Sequence, residues 1–339
     1  MNINDSWFVL FSFIIAGYLI LDGFDMGVGI LHLPLAHTDT DRRVVLNSIG
    51  PGWDGNEVWL ILGGGVLFAA FPLVYASLFS GFYAAMMLVL LVMILRTVAI
   101  EFRSKRESPR WRNTWDVVFG AASLGLALLL GVAFGNVISG VPLDSSGNIQ
   151  VHLFSLLNPF ALLVGITTVA MFAMHGAIYL TLKTDGDFEA RTRRAIPGLM
   201  LVFFTLNTLV VIAMVLFHQE ITKRYTTDIW PVVFPAGALV ALLGAWYLLR
   251  RGRAFWAFTS SAAMIGLLLV SGAIGVYPNL LISTIDQANN LTIYNGASAD
   301  NTLTVMLVIA LIGMPFVLLY TTGVYYIFRG KTVVDPKGY

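Results

Sequence analysis

The stretch Leu21-Asp22-Gly23-Phe24-Asp25-Met26-Gly27-Val28-Gly29-Ile30-Leu31 closes an apolar run that begins at Trp7. A run of that length crosses hydrocarbon as a helix, because a helix satisfies its own backbone hydrogen bonds there. An acidic side chain in such a helix costs roughly 2.5–3.5 kcal/mol on insertion scales. Asp22 and Asp25 stand three apart, a spacing that puts both on one helix face. They lie well past the midpoint of the span, toward its far boundary. Two readings stay open. The acids snorkel to the interface or cap the helix end, or they form a cation or proton site or pair with Arg96 at a similar depth. Gly23, Gly27 and Gly29 would let another helix approach closely. Asp25 is therefore expected to be the more buried of the two.

The rest of the chain repeats the membrane signal. Its 339 residues are 58% hydrophobic and 12% charged, with a mean hydropathy of +0.81. Soluble domains carry about 25% charged residues. The sequence predicts an all-α polytopic membrane protein with nine transmembrane helices. The spans fall at 7–31, 55–76, 78–100, 115–138, 158–182, 195–217, 229–249, 254–277 and 303–327, with a tight turn near Ala76-Ser77 between the second and third. With Asp5 and no basic residue before it, the first run reads as a retained helix and not as a cleavable signal. The absence of Cys excludes disulfides, thiol chemistry and Cys-ligated metals from this chain. Nothing points to nucleic acid.

Alternate loops hold 17 of the 20 basic residues, among them Arg42, Arg43, Arg103, Lys105, Arg250, Arg251, Lys331 and Lys337. Arg96 ends the third span, and only Lys223 and Arg224 lie on the opposite side. By the positive-inside rule the N-terminus is outside and the C-terminus cytoplasmic. Arg110-x-Arg112-x-x-Trp115 with Gly131, and Arg251-x-Arg253-x-x-Trp256 with Gly272, recur at an offset of 141 residues. Four spans per repeat preserve orientation, so the expectation is two parallel four-helix units, 7–138 and 158–277, plus a ninth helix at 303–327. Chance likeness of two Arg-Trp helix starts is the alternative.

Gly50-Pro51-Gly52-Trp53-Asp54-Gly55-Asn56-Glu57-Val58-Trp59 opens the second span from the basic side. Asp54 could be an N-cap with Glu57 closing a capping box. Both also suit proton uptake, since carboxylates relay protons in membrane proteins. Gly63-Gly64-Gly65 argues for close packing and not for a nucleotide loop, because no Lys-Ser/Thr follows. His32 and His37 are expected in the first inner loop. His175, near Met171 and Met174, is the one histidine inside a span and reads as a packing or hydrogen-bonding residue. No haem ligand is predicted. The rival reading is a proton- or cation-coupled transporter, and a purely structural scaffold is a third.

These motifs resemble those of subunit II of the cytochrome bd family of quinol oxidases. The likeness rests on Asp22-Gly-Phe-Asp-Met-Gly-Val-Gly29, Gly52-Trp-Asp-Gly-Asn-Glu-Val-Trp-Leu60, Leu67-Phe-Ala-Ala-Phe-Pro-Leu-Val-Tyr75 and Ser80-Gly-Phe-Tyr83. Phe102-Arg-Ser-Lys105, Arg110-Trp-Arg-Asn-x-Trp-Asp116, Gly131-Val-Ala-Phe-Gly-Asn136 and Leu156-Leu-Asn-Pro-Phe160 extend it. The resemblance implies a multi-pass protein of the bacterial inner membrane. Its complex would oxidise quinol and reduce dioxygen to water with protons drawn from the cytoplasm. Haems b and d would belong to the partner, subunit I, and none to this chain. Some members hold a quinone in subunit II, and a small third subunit often accompanies the pair. Carried onto this sequence, Asp54 matches a proton-uptake carboxylate, Asp25 the intramembrane acid of the Gly-Phe-Asp motif, and Trp59 an aromatic lining oxygen access.

Overall fold

The computed structural model describes residues 2–332, so Lys337 lies outside the described residues. Helix follows helix: α1 Ile3–Leu35, α2 Asp39–Ile49, α3 Trp53–Ala70, α4 Pro72–Gly81, α5 Tyr83–Phe102 and α6 Pro109–Ser139. Then come α7 Pro159–Lys183, α8 Gly186–Phe217, α9 Gln219–Thr227, α10 Val233–Arg250, α11 Ala254–Val276 and α12 Asp300–Ile327. Among the described residues, eight helices are long and apolar enough to span a membrane. They correspond to every expected span except the second, although the third begins at Tyr83 and not at 78. The second is α3, whose opening Asp54-Gly55-Asn56-Glu57 dilutes its apolar character, followed by α4.

The expected turn at Ala76-Ser77 is not there; both residues lie inside α4. The break comes earlier, at Phe71, with φ −131° and ψ 62°. Pro72 explains it. A proline clashes with a helical residue before it, and it lacks an N–H, so it fits the first turn of a new helix. A second break at Phe82 separates α4 from α5.

The centre of the molecule is α1, which packs on α3, α6, α7, α11 and α12. Glycine makes this possible. A Cβ on Gly27 would stand 1.8 Å from the Phe172 carbonyl oxygen of α7, and one on Gly176 would stand 2.5 Å from Gly27. The two backbones touch, as the small-residue pattern of α1 predicts. The loops rich in Arg and Lys gather at one end, where Arg191 reaches Asp41 at 2.6 Å and Lys331 reaches Glu189 at 3.3 Å. At the other, base-poor end a two-stranded sheet, β1 Asn279–Leu281 with β2 Leu291–Thr292, joins the 140–157 segment through Val141 N–H on the Ile282 carbonyl at 2.9 Å.

Candidate functional site

The buried acids of α1 stand where α1, α3, α5 and α12 meet. Asp22 and Asp25 are both fully buried, so Asp25 is not the more buried of the two. The reading in which they snorkel or cap the helix end fails, because α1 runs on to Leu35 and neither side chain reaches solvent. Arg96 pairs with Asp22 and not with Asp25. Its Nη1 donates to Asp22 Oδ2 at 3.0 Å, and its Nη2 donates to Oδ1. A two-pronged pair of this kind fixes geometry as well as charge. The Arg96 Nε has no acceptor among the described residues, and Glu57 Oε1 approaches Nη2 at 3.7 Å.

Asp25 has a different neighbourhood. Asn56 Nδ2 donates to its Oδ2 at 2.7 Å, and Tyr325 OH donates to Asn56 Oδ1 at 2.8 Å. The other oxygen, Asp25 Oδ1, is buried with no hydrogen-bond partner among the described residues. Tyr18 lies one turn before Asp22 on the same face. The arrangement therefore holds one carboxylate in a charge pair and leaves the second with an oxygen free to take a proton.

Helix α3 supplies the outward side of this cluster. Its N-cap is Gly52, with no side-chain cap bond, so the Asp54/Glu57 capping box is absent. Gly50-Pro51-Gly52 tightens the chain enough to start the helix at Trp53, before Asp54 can take the cap position. Asp54 is exposed in the first turn, while the Glu57 side chain is only 14% exposed. Trp59 is buried against α1, where a Cβ on Gly17 would meet its ring at 2.4 Å.

A second polar cluster was not singled out from sequence. Asp116, in the last position of Arg110-Trp-Arg-Asn-x-Trp-Asp116, is buried. It accepts from Arg103 Nε at 2.5 Å, His32 Nε2 at 2.6 Å and Arg42 Nη1 at 2.9 Å. Arg103 Nη2 also donates to Asp39 at 2.7 Å, which ties α2 to the base-rich end. His32 is thus inside α1 and not in a loop. The available signal was one acid just after the arginines, at the start of the fourth expected span.

His175 is fully buried. Its ring nitrogens lie 2.8 Å from Ser261 Oγ and 3.2 Å from the Ile20 carbonyl oxygen, and its ring stacks on Phe258 at 4.8 Å. Both nitrogens are engaged, so His175 is a hydrogen-bonded packing residue. No group of three or more His, Cys, Asp or Glu among the described residues could hold a metal ion.

Comparison with known proteins gives this geometry a family. Residues 3–328 match the family of cytochrome bd terminal oxidase subunit II. The chain is 36% identical over 355 residues to cytochrome bd-I ubiquinol oxidase subunit 2 of Escherichia coli (strain K12), covering 96% of this chain and 94% of that one. It is 35% identical to cytochrome bd ubiquinol oxidase subunit 2 of Bacillus subtilis (strain 168), covering 97% of each. Its fold matches a chain of the bd oxidase from Geobacillus thermodenitrificans with a TM-score of 0.81, at 17% identity and over 97% of this chain and 99% of that one. The chain belongs to the cytochrome bd terminal oxidase subunit II family.

Proposed function

We propose that this chain, as a subunit of a bd-type quinol:oxygen oxidoreductase, conducts protons from the base-rich face toward the oxygen-reducing site of its partner subunit. Membership of the family makes it a terminal oxidase subunit and not a transporter. The observation that carries the proton reading is Asp25, fully buried, with one oxygen held by Asn56 and the other unpartnered. Exposed Asp54, two residues nearer the start of α3 than Asn56, stands between it and the base-rich face, and half-buried Glu57 lies beside Arg96. Asp22 and Arg96 are the fixed framework, and Trp59 lines oxygen access. Loop charge supports an outside N-terminus and a cytoplasmic base-rich end, in a bacterial inner membrane.

The haems of the complex we assign to subunit I, since neither nitrogen of His175 is available in this chain. The partner docks on the α3–α12 face. There a Cβ on Gly64, Gly65 or Gly313 would meet nothing within 4 Å, and small residues facing outward in a membrane mark helix contacts. An apolar cleft of about 590 Å³ between α7, α8, α10 and α11 suits a prenylated quinone, with Asn207 supplying an amide donor among Met171, Phe203, Leu242 and Leu268. A small third subunit remains an expectation of the resemblance. The two-repeat reading is supported by matched packing: α1 on α3, α5 on α6 and α1 on α6 correspond to α7 on α8, α10 on α11 and α7 on α11.

The test is Asp25→Asn in the assembled complex. A positioned proton donor contributes typically 10²–10⁴-fold, so quinol-driven oxygen uptake should fall by roughly 10²-fold with the haem spectrum intact. Full turnover in a correctly assembled Asp25→Asn complex would reject the role.

A further inference from the structure

Lys223 and Arg224, the two basic residues at the base-poor end, play no part in the proton reading. Both sit on α9, which lies across the ends of α8 and α11. The helix is firmly seated. Ile221 is buried against Gly275, where a Cβ would approach its side chain to 2.7 Å, and Tyr225 OH donates to the Ser271 carbonyl at 2.6 Å. Beside it opens a cavity of about 730 Å³, closed on the far side by the 277–290 segment.

Charges of both signs surround this space. Glu220, Lys223, Arg224 and Asp228 all line it, and none of them joins an ion pair among the described residues. Glu220 and Arg224 have the spacing at which helix side chains ordinarily pair. Instead, Arg224 sits 5.4 Å over the Tyr277 ring, and its Nε is buried without a hydrogen-bond acceptor. That guanidinium keeps donors to offer an anion entering the cavity. The rim changes character. Leu216 is 60% exposed and Phe217 76% exposed at the end of the α8 span, so the cavity's edge is apolar and its interior charged. Trp230, 56% exposed just beyond α9, is the residue type that marks the level of lipid headgroups.

We infer that this cavity binds the headgroup of an amine-bearing, zwitterionic phospholipid. Arg224 and Lys223 take the phosphate, Glu220 and Asp228 face the ammonium, and the acyl chains leave over Leu216 and Phe217. The mixed charge is the reason for this choice. A purely anionic headgroup would meet two carboxylates, and a quaternary amine would offer them no N–H.

The experiment uses the purified oxidase complex, stripped of loosely held lipid. It is exposed to vesicles of phosphatidylethanolamine, phosphatidylglycerol or phosphatidylcholine, or to inorganic phosphate, and native mass spectrometry counts retained lipid. Phosphatidylethanolamine should be retained most. Losing a charge-assisted contact should weaken its retention about tenfold in Arg224→Gln. Lys223 is exposed, so Lys223→Gln should fold normally and still weaken retention. Equal retention in wild type and both variants would overturn the site. Preference for phosphatidylglycerol, or protection from thermal unfolding by inorganic phosphate alone equal to that by the lipid, would overturn the assigned headgroup.

Discussion

Replacing Asp22 by Asn leaves the Arg96 guanidinium in the membrane interior without its partner. Both side chains are fully buried, and the pair is two-pronged, so the charge has no access to water. The fallback is Glu57, whose Oε1 stands 3.7 Å from Nη2. That is longer than a charged hydrogen bond and leaves most of the loss uncompensated. Breaking a buried pair from one side costs about 3–5 kcal/mol. At roughly 2 °C per kcal/mol, the lower end for larger domains, the apparent Tm of the complex should fall by about 6–10 °C. The assay is thermal unfolding of the purified complex. A double variant, Asp22→Leu with Arg96→Met, should recover much of the loss, because an apolar replacement of a whole pair is often neutral or stabilising by about 1–4 kcal/mol. An Asp22→Asn complex as stable as wild type would refute the reasoning. So would a double variant no better than the single one, since the cost would then not come from stranded charge.

Gly27→Ala should prevent α1 from seating on α7, because its Cβ would stand 1.8 Å from the Phe172 carbonyl oxygen; loss of folded complex in detergent extracts checks this. Gly65→Leu should leave this chain folded but weaken its hold on subunit I, read as the ratio of the two chains after affinity purification. Asp116→Asn should loosen α2 at the base-rich end, since Arg103, Arg42 and His32 all converge on that carboxylate; faster hydrogen exchange across residues 39–49 would show it. The Asp144 carboxyl is held below its usual range, chiefly by the Asn148 backbone N–H at 2.9 Å and also by that of Ser146 at 2.8 Å. A depressed carboxyl stabilises the fold above its unfolded value and stops doing so as pH falls through its folded one. Exchange at those two amides, corrected for intrinsic rate, should therefore rise only in acid; an unchanged rate would contradict it.

The spans were legible because burial in lipid imposes length and apolarity on each helix independently of its neighbours. The glycines of α1 were legible for a similar reason: close approach requires them, whichever helix arrives. Partner choice was not. Asp22 and Asp25 both face Arg96 in a one-dimensional reading, yet a three-residue step on a helix leaves two side chains about 60° apart around its axis. That step aims Asp22 at α5 and Asp25 at α3. The break at Phe71 was in the sequence, at Pro72, but the apolar run on both sides concealed it. The His32–Asp116 contact was not legible because His32 read as a loop residue and Asp116 as one acid next to the arginines at the start of a span, and only the packing of α6 on α1 brings them together.

The division between the two acids follows from their neighbours. A carboxylate meant to carry protons needs an oxygen free to take one, and the two-pronged guanidinium of Arg96 occupies both oxygens of Asp22. Asp22, locked to Arg96, is therefore unsuited to relay protons. Asp25 is held on one side only, by the neutral amide of Asn56, which tolerates either charge state. Tyr325 fixes that amide by donating to its oxygen, which keeps the Asn56 nitrogen pointed at Asp25. Tyr325→Phe should release the amide and slow proton uptake while leaving the Asp22–Arg96 pair, and so the apparent Tm, near wild type. A fall in Tm as large as that of Asp22→Asn, with unchanged turnover, would reverse the roles assigned to the two acids.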